Sequence, residues 1–257
     1  MKKQHLFALY LIGLMVILGI KYSYSRAGFR ELDFILAPTA RWVTFLSGIN
    51  FIRQTDVGYI NHSIRFIIAP SCSGVQFMLI TFAALLFPLV HRMNSVKSGV
   101  CWFAGSFLFS FPFTVFVNGI RIVLSIYIPN YFNKWNIYAD WLTAQRLHTI
   151  IGTVVYVTAL LAVYYLAGLA SSSNVKISND MHGIFSSKVV LKIVNRIVPP
   201  ILCYFFIVLI IPLIHNARQN DLKKFGEYAL LIISVCFALI LLSFIVYTVQ
   251  DHFSGKE

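Results

Sequence analysis

Three short clusters in this chain combine chemically able residues with positions where lipid makes polarity expensive. The first is Ala69-Pro70-Ser71-Cys72-Ser73-Gly74. Pro70 stops a helix from arriving from upstream, Ser71 is a favourable N-cap, and Cys72 then falls in the first turn of a helix expected to reach Val90. A thiol there faces the positive end of a helix dipole and several unpaired N–H groups, which favours the thiolate and prepares a nucleophile. The plain alternative is a small apolar residue beside a Ser-Gly turn. The second cluster is Val117-Asn118-Gly119-Ile120-Arg121-Ile122-Val123. Snorkelling to the headgroups would account for Arg121; a guanidinium held at low dielectric instead stabilises the oxyanion that forms when a carbonyl is attacked. Asn118, one helical turn earlier, is placed to orient it or to donate to the same oxygen. The third is Gln145-Arg146-Leu147-His148-Thr149-Ile150-Ile151-Gly152, where an imidazole able to exchange a proton near neutral pH opens an uncharged run. An ordinary interfacial histidine is the plain reading. Arg146, two residues before His148, shares the site only on an irregular turn.

The elements that must position these residues follow from composition. Of 257 residues, 58% are hydrophobic and 12% charged, against about 45–50% and about 25% in a soluble domain. A water-soluble protein is excluded, and the expected fold is an all-α polytopic transmembrane bundle of about six to eight spans. The net charge of +12 does not point to nucleic acid, because the basic residues scatter through loops with no stripe to follow a phosphate backbone. Cys72, Cys101, Cys203 and Cys236 show no metal or redox spacing, and Cys101 lacks the setting of Cys72. Neither a metal nor a dissociable cofactor is implied.

Apolar runs over 6–20, 72–90, 98–117, 149–170, 201–214 (entered from Ile197) and 228–249 give six spans. The first is read as a retained signal anchor rather than a cleaved signal peptide. Two stretches fit less well. Residues 32–52 carry Asp33, Pro38 and Arg41 and are expected to lie in the interface or re-enter the membrane. Residues 120–131 are too short to span and lead into an aromatic loop with Trp135, Tyr138 and Trp141 that suits the headgroup level. The expected organisation is a catalytic membrane module over 1–170, a polar cytoplasmic linker over 171–196, and a two-span hairpin and tail over 197–257. The raw count of basic residues opposes the usual bias, since with the N-terminus inside nine fall on the cytoplasmic side and twelve outside, although the inside loops are shorter and denser in charge. If the span after Cys72 runs inward and the span before Asn118 returns, then Cys72, Arg121 and His148 meet at one membrane face. A thiol, a base and a cationic oxyanion partner are the parts needed for acyl transfer through a thioester.

Taken in order, Pro70-Ser71-Cys72-Ser73-Gly74, Asn118-Gly119-Ile120-Arg121 and His148-Thr149-Ile150-Ile151-Gly152, each joined to a hydrophobic run, resemble the exosortase/archaeosortase family of multi-pass membrane transpeptidases. The likeness covers about residues 58–169. It implies a cysteine protease or transpeptidase of the plasma (inner) membrane, acting at the extracytoplasmic face with sortase-like chemistry on a different fold. Its substrates would be exported proteins ending in a short PEP-type motif, a transmembrane helix and a basic tail. The implied catalytic residues are Cys72, Arg121 and His148, supported by Ser73, Gly74, Asn118 and Arg146. Some relatives place an arginine in the third role, which keeps Arg146 in play beside His148. The chain is short for the family, and its last two spans carry no assignable motif.

Two other readings compete with the enzyme. A small transporter or channel component would line a polar path with Arg121 and His148 and would keep its activity in Cys72→Ala. In a non-catalytic membrane assembly protein, Cys72 would react no faster than the other cysteines. Lipid is a partner on every reading.

Overall fold

A computed structural model describes residues 1–134, 141–171, 197–215 and 222–254. Among the described residues six helices are long and apolar enough to cross a membrane, which establishes the multi-pass helical bundle. Residues Met1–Tyr156 form one compact unit and Val157–Glu257 a second. Trp135, Tyr138 and the linker at 172–196 lie outside the described residues.

The first unit holds α1 (Lys3–Arg26), α2 (Phe29–Ser47), three short strands, α3 (Val75–Leu86), α4 (Val96–Lys134) and the start of α5 (Ala144–Ser171). The Met1 ammonium donates to the Asn94 carbonyl at 3.1 Å, and the Trp102 indole donates to the Leu85 carbonyl. These bonds bring the start of α1, the end of α3 and the start of α4 to one end of the bundle. At the other end, the Asn118 amide donates to the Cys72 carbonyl at 2.6 Å. At 1.5 Å per residue, Val96 and Asn118 are about 33 Å apart, close to the hydrocarbon thickness of a bilayer, about 30 Å. Met1 and Cys72 therefore sit at opposite ends of a single crossing.

That geometry decides the course of residues 32–52. α2 does not cross; it runs alongside α4 in the same direction, with Phe34 stacked on Phe111, Trp42 against Phe116, and the Ser47 carbonyl accepting from Tyr127. Its buried stripe, Leu32, Ile35, Leu36, Ala40 and Val43, packs in one cluster with Ile68, Val75 and Ile122, the spacing of a one-sided amphipathic helix. Glu31 closes the start of α2 by accepting from the Gly28 N–H, and Gly48 ends it in a left-handed turn.

The 98–117 and 120–131 runs, expected to be separate, are one helix. α4 is 39 residues long and continues through Pro112 and Pro129. Each proline costs a backbone bond, but α2 braces the junction. The Trp42 ring occupies the space beside Gly119, where a Cβ would clash with its Cδ1, and its Nε1 donates to the Phe116 carbonyl. In the opposite sense, α3 is shorter than expected. It stops at Leu86, two residues before Pro88, and a single 3-10 turn, Val90–Arg92, completes the connection.

Between α2 and α3 lies a feature with no clear periodic signature in sequence, an antiparallel sheet ordered β1 (Ile52–Gln54), β2 (Gly58–Asn61), β3 (Phe66–Ile68). Tyr59 pairs with Arg53 on one side and Ile68 on the other. Asp33 of α2 anchors the sheet, accepting from Arg53 Nη2 at 2.9 Å and from the Tyr59 hydroxyl at 2.8 Å. Burial, together with that bond to Asp33, raises the Tyr59 phenol above its ordinary pKa.

In the second unit, α5 continues to Ser171, α6 (Ile197–Ile214) contains a π-helical turn at Phe206–Ile210, and α7 (Leu222–Ser254) follows.

Candidate active site

Cys72 closes a one-turn 3-10 helix, Pro70–Cys72, whose N–H bonds run from Cys72 to the Ala69 carbonyl and from Ser73 to that of Pro70. The expectation that Ser71 caps a helix with Cys72 in its first turn is corrected: α3 begins at Val75, and its N-cap is Gly74. Gly74 explains the break. Its φ of +77° lies in the left-handed region, and a Cβ there would come within 3.0 Å of the Asn118 side chain and of Thr114 Cγ2. Glycine serves both the turn and the close approach of α4. The half-buried Cys72 side chain packs beside the cluster that holds Ile68 and Val75.

α4 supplies Asn118 and Arg121, three residues apart and so on one face. Asn118 is wholly buried, and Arg121 is 7% exposed. The guanidinium donates through Nη1 to Asn118 Oδ1 at 3.1 Å and to the Tyr156 hydroxyl at 3.0 Å. Through Nη2 it reaches His148 Nε2 at 2.6 Å. Tyr156 in turn donates to Asn118 Oδ1 at 2.7 Å, while the Asn118 amide donates to the Cys72 carbonyl. One asparagine thus ties the Cys72 turn, the guanidinium and the tyrosine together. Each of its bonds fixes the amide orientation in the same sense, nitrogen toward Cys72 and oxygen toward Arg121.

No carboxylate pairs with Arg121 among the described residues. The neighbours able to carry negative charge beside it are the Cys72 thiol and the Tyr156 phenol. A buried cation with only neutral hydrogen-bond partners is costly unless an anion arrives in use. Its Nε has no hydrogen-bond partner among the described residues. A Cβ at Gly152 would lie 3.5 Å from that atom.

His148, Gly152 and Tyr156 recur every fourth residue along α5, which brings all three to Arg121. Tyr156 is the residue that sequence reasoning missed. Its signal was present, since it lies two helical turns beyond His148, but an aromatic within an apolar run looks like packing until its hydroxyl is placed. Its ring does pack, stacked on Phe77 at 4.3 Å between centroids.

Of the seven residues singled out from sequence, the structure brings together Cys72, Asn118, Arg121 and His148, with Gly74 shaping the turn. Ser73 is fully buried beside Cys72, with its hydroxyl unpartnered among the described residues. Arg146 is directed elsewhere: its Nη1 donates to the Trp141 carbonyl at 2.8 Å, and the hydrogen bonds of Arg121 go to Asn118, His148 and Tyr156.

No metal-binding group of three or more histidine, cysteine or acidic residues occurs among the described residues. No curated protein and no solved structure matches the chain. A family model does, the one described as Transmembrane exosortase (Exosortase_EpsH), over residues 1–165. That match takes in the first unit and every residue of the Arg121 network, and the chain belongs to the transmembrane exosortase family.

Proposed function

We propose that this membrane exosortase is a cysteine transpeptidase that cleaves the C-terminal sorting signals of exported proteins. Cys72 sulfur attacks the scissile carbonyl, and its proton passes to His148. The oxyanion of the tetrahedral intermediate takes the negative charge that the Arg121 surroundings lack. Collapse of the intermediate breaks the C–N bond; His148 returns the proton to the leaving amine, and the acyl group stays on Cys72 as a thioester. An acceptor amine, or water, then attacks the thioester and releases the thiol. Asn118 holds the Cys72 turn against the guanidinium throughout.

The observation that carries this reading is the buried, carboxylate-free Arg121 with the thiol of Cys72 and the imidazole of His148 as immediate neighbours. The face of action is proposed as extracytoplasmic. The site lies one membrane thickness from Met1, whose end of the bundle carries Lys2, Lys3, Arg92 and Lys97 in short segments, as a cytoplasmic end should.

The test is to co-express an exported reporter ending in a short glutamate-containing segment, a transmembrane helix and a basic tail. The wild-type chain should shorten the reporter, while Cys72→Ala and Arg121→Ala leave it intact. Undiminished processing by Cys72→Ala overturns the proposal and favours a non-covalent role.

A further inference from the structure

Resting on the transpeptidase reading, we infer that the substrate segment upstream of the scissile bond binds as an added β-strand on the free edge of β3, running parallel to it. β3 is the last strand of the sheet. On its outer side β3 makes no backbone or side-chain hydrogen bond among the described residues; Ile67 is its exposed residue, Phe66 is half-buried, and Ile68 is buried against β2 and the core. Unpaired edge groups are a ready template for an extended chain. The edge also leads to the nucleophile: three residues separate Ile68 from Cys72, and Ile68 belongs to the cluster that Cys72 packs against. β1, the other edge, has β2 between it and this route.

Direction follows from the order of elements. After β3 the chain passes Cys72 and enters α3, which crosses to the Met1 end. A substrate whose cleaved segment is followed by its own transmembrane helix has the same order. Laid parallel, it is extended along β3, presents its scissile carbonyl at Cys72, and then enters the membrane. Laid antiparallel, its membrane helix would leave toward the sheet.

Charge agrees with an acidic occupant. The carboxylates of this region are engaged: Glu31 with the Gly28 N–H, Asp33 with Arg53 and Tyr59, and Asp56 with Arg30. Arg65, exposed immediately before β3 at a φ of +51°, has no carboxylate partner among the described residues.

The test is disulfide trapping in membranes with the same glutamate-containing reporter. Ile67→Cys, at an exposed side chain, is placed in the Cys72→Ala chain, and single cysteines are walked through the reporter on both sides of the scissile bond. Ile52→Cys on β1, placed in the same Cys72→Ala chain, is the control. Strand addition predicts cross-links at alternate upstream positions, about tenfold above the intervening ones, because side chains alternate along a strand. If the wild-type chain processes the reporter but cross-links are uniform, downstream, or equally strong from Ile52→Cys, strand addition is overturned and the transpeptidase reading stands. If the wild-type chain leaves the reporter intact, the transpeptidase reading falls and the inference with it.

Discussion

Arg121 Nη2 donates to His148 Nε2 across 2.6 Å. A guanidinium has only donors, so the histidine nitrogen must be the acceptor and the ring is the neutral tautomer with its proton on Nδ1. Two consequences follow. The imidazole is poised to take a proton, as a general base must be, but its Nε2 lone pair is committed to Arg121 in this state. On the proposed mechanism, proton uptake from Cys72 would therefore use Nδ1 after a tautomer change, or Nε2 once an incoming oxyanion has drawn the guanidinium away.

His148→Ala should accordingly slow formation of the Cys72 thioester by about 10²–10⁴-fold, the usual contribution of a positioned acid–base. Added imidazole should restore part of the rate, with a pH dependence that follows the added base. Thioester accumulation measured by hydroxylamine trapping checks this, and a rate unchanged from wild type would remove His148 from the mechanism.

Tyr156→Phe keeps the stack on Phe77 and deletes only the hydroxyl that donates to Asn118 and accepts from Arg121. A hydrogen bond to a charged group is worth about 1.5–3 kcal/mol, which is roughly ten- to a hundredfold in rate if felt in the transition state. The loss should fall on kcat with thermal stability near wild type. It should also show as slower alkylation of Cys72 relative to Cys101 in the same chain, a readout that needs no substrate.

Arg121→Lys should behave almost as Arg121→Ala. An ammonium is a point charge and cannot hold Asn118, Tyr156 and His148 at once in the fork geometry that a planar guanidinium provides. Reporter processing near the wild-type level in Arg121→Lys would show that charge alone suffices.

Gly74→Ala should cost both stability and processing. The left-handed backbone alone is unfavourable for alanine by about 1–2 kcal/mol, and the new methyl would push against Asn118 and Thr114. Gly168→Ala, with no atom within 4 Å of its Cβ position, is the matched control and should be neutral. Thermal denaturation in detergent, read beside reporter cleavage, separates the two effects.

Much of the site was legible in sequence for one reason. In a chain with so few charges, an arginine and a histidine at the margins of apolar runs are conspicuous, and the cost of burying them makes idle placement unfavourable. The six spans were legible because a bilayer fixes the length of apolar run that crosses it. Tyr156 was not, since its role depends on a hydroxyl reaching across to another helix. Nor was the helical state at Cys72, where local rules favoured an N-cap at Ser71. Contact with Asn118 and Thr114 instead fits the left-handed glycine and moves the helix start to Val75.

The amino-acid sequence by itself determined that this is a multi-pass helical membrane protein with a thiol, a guanidinium and an imidazole at the ends of its apolar runs, because burial energetics act residue by residue along the chain. Only the tertiary structure decided that residues 120–131 continue α4, that 32–52 lie beside it without crossing, and that a small sheet leads into Cys72. Those outcomes depend on packing between distant segments: Trp42 seated against Gly119, Asp33 holding Arg53 and Tyr59, and Asn118 joining α4 to the Cys72 turn. Each is a contact between residues with no local pattern to announce it.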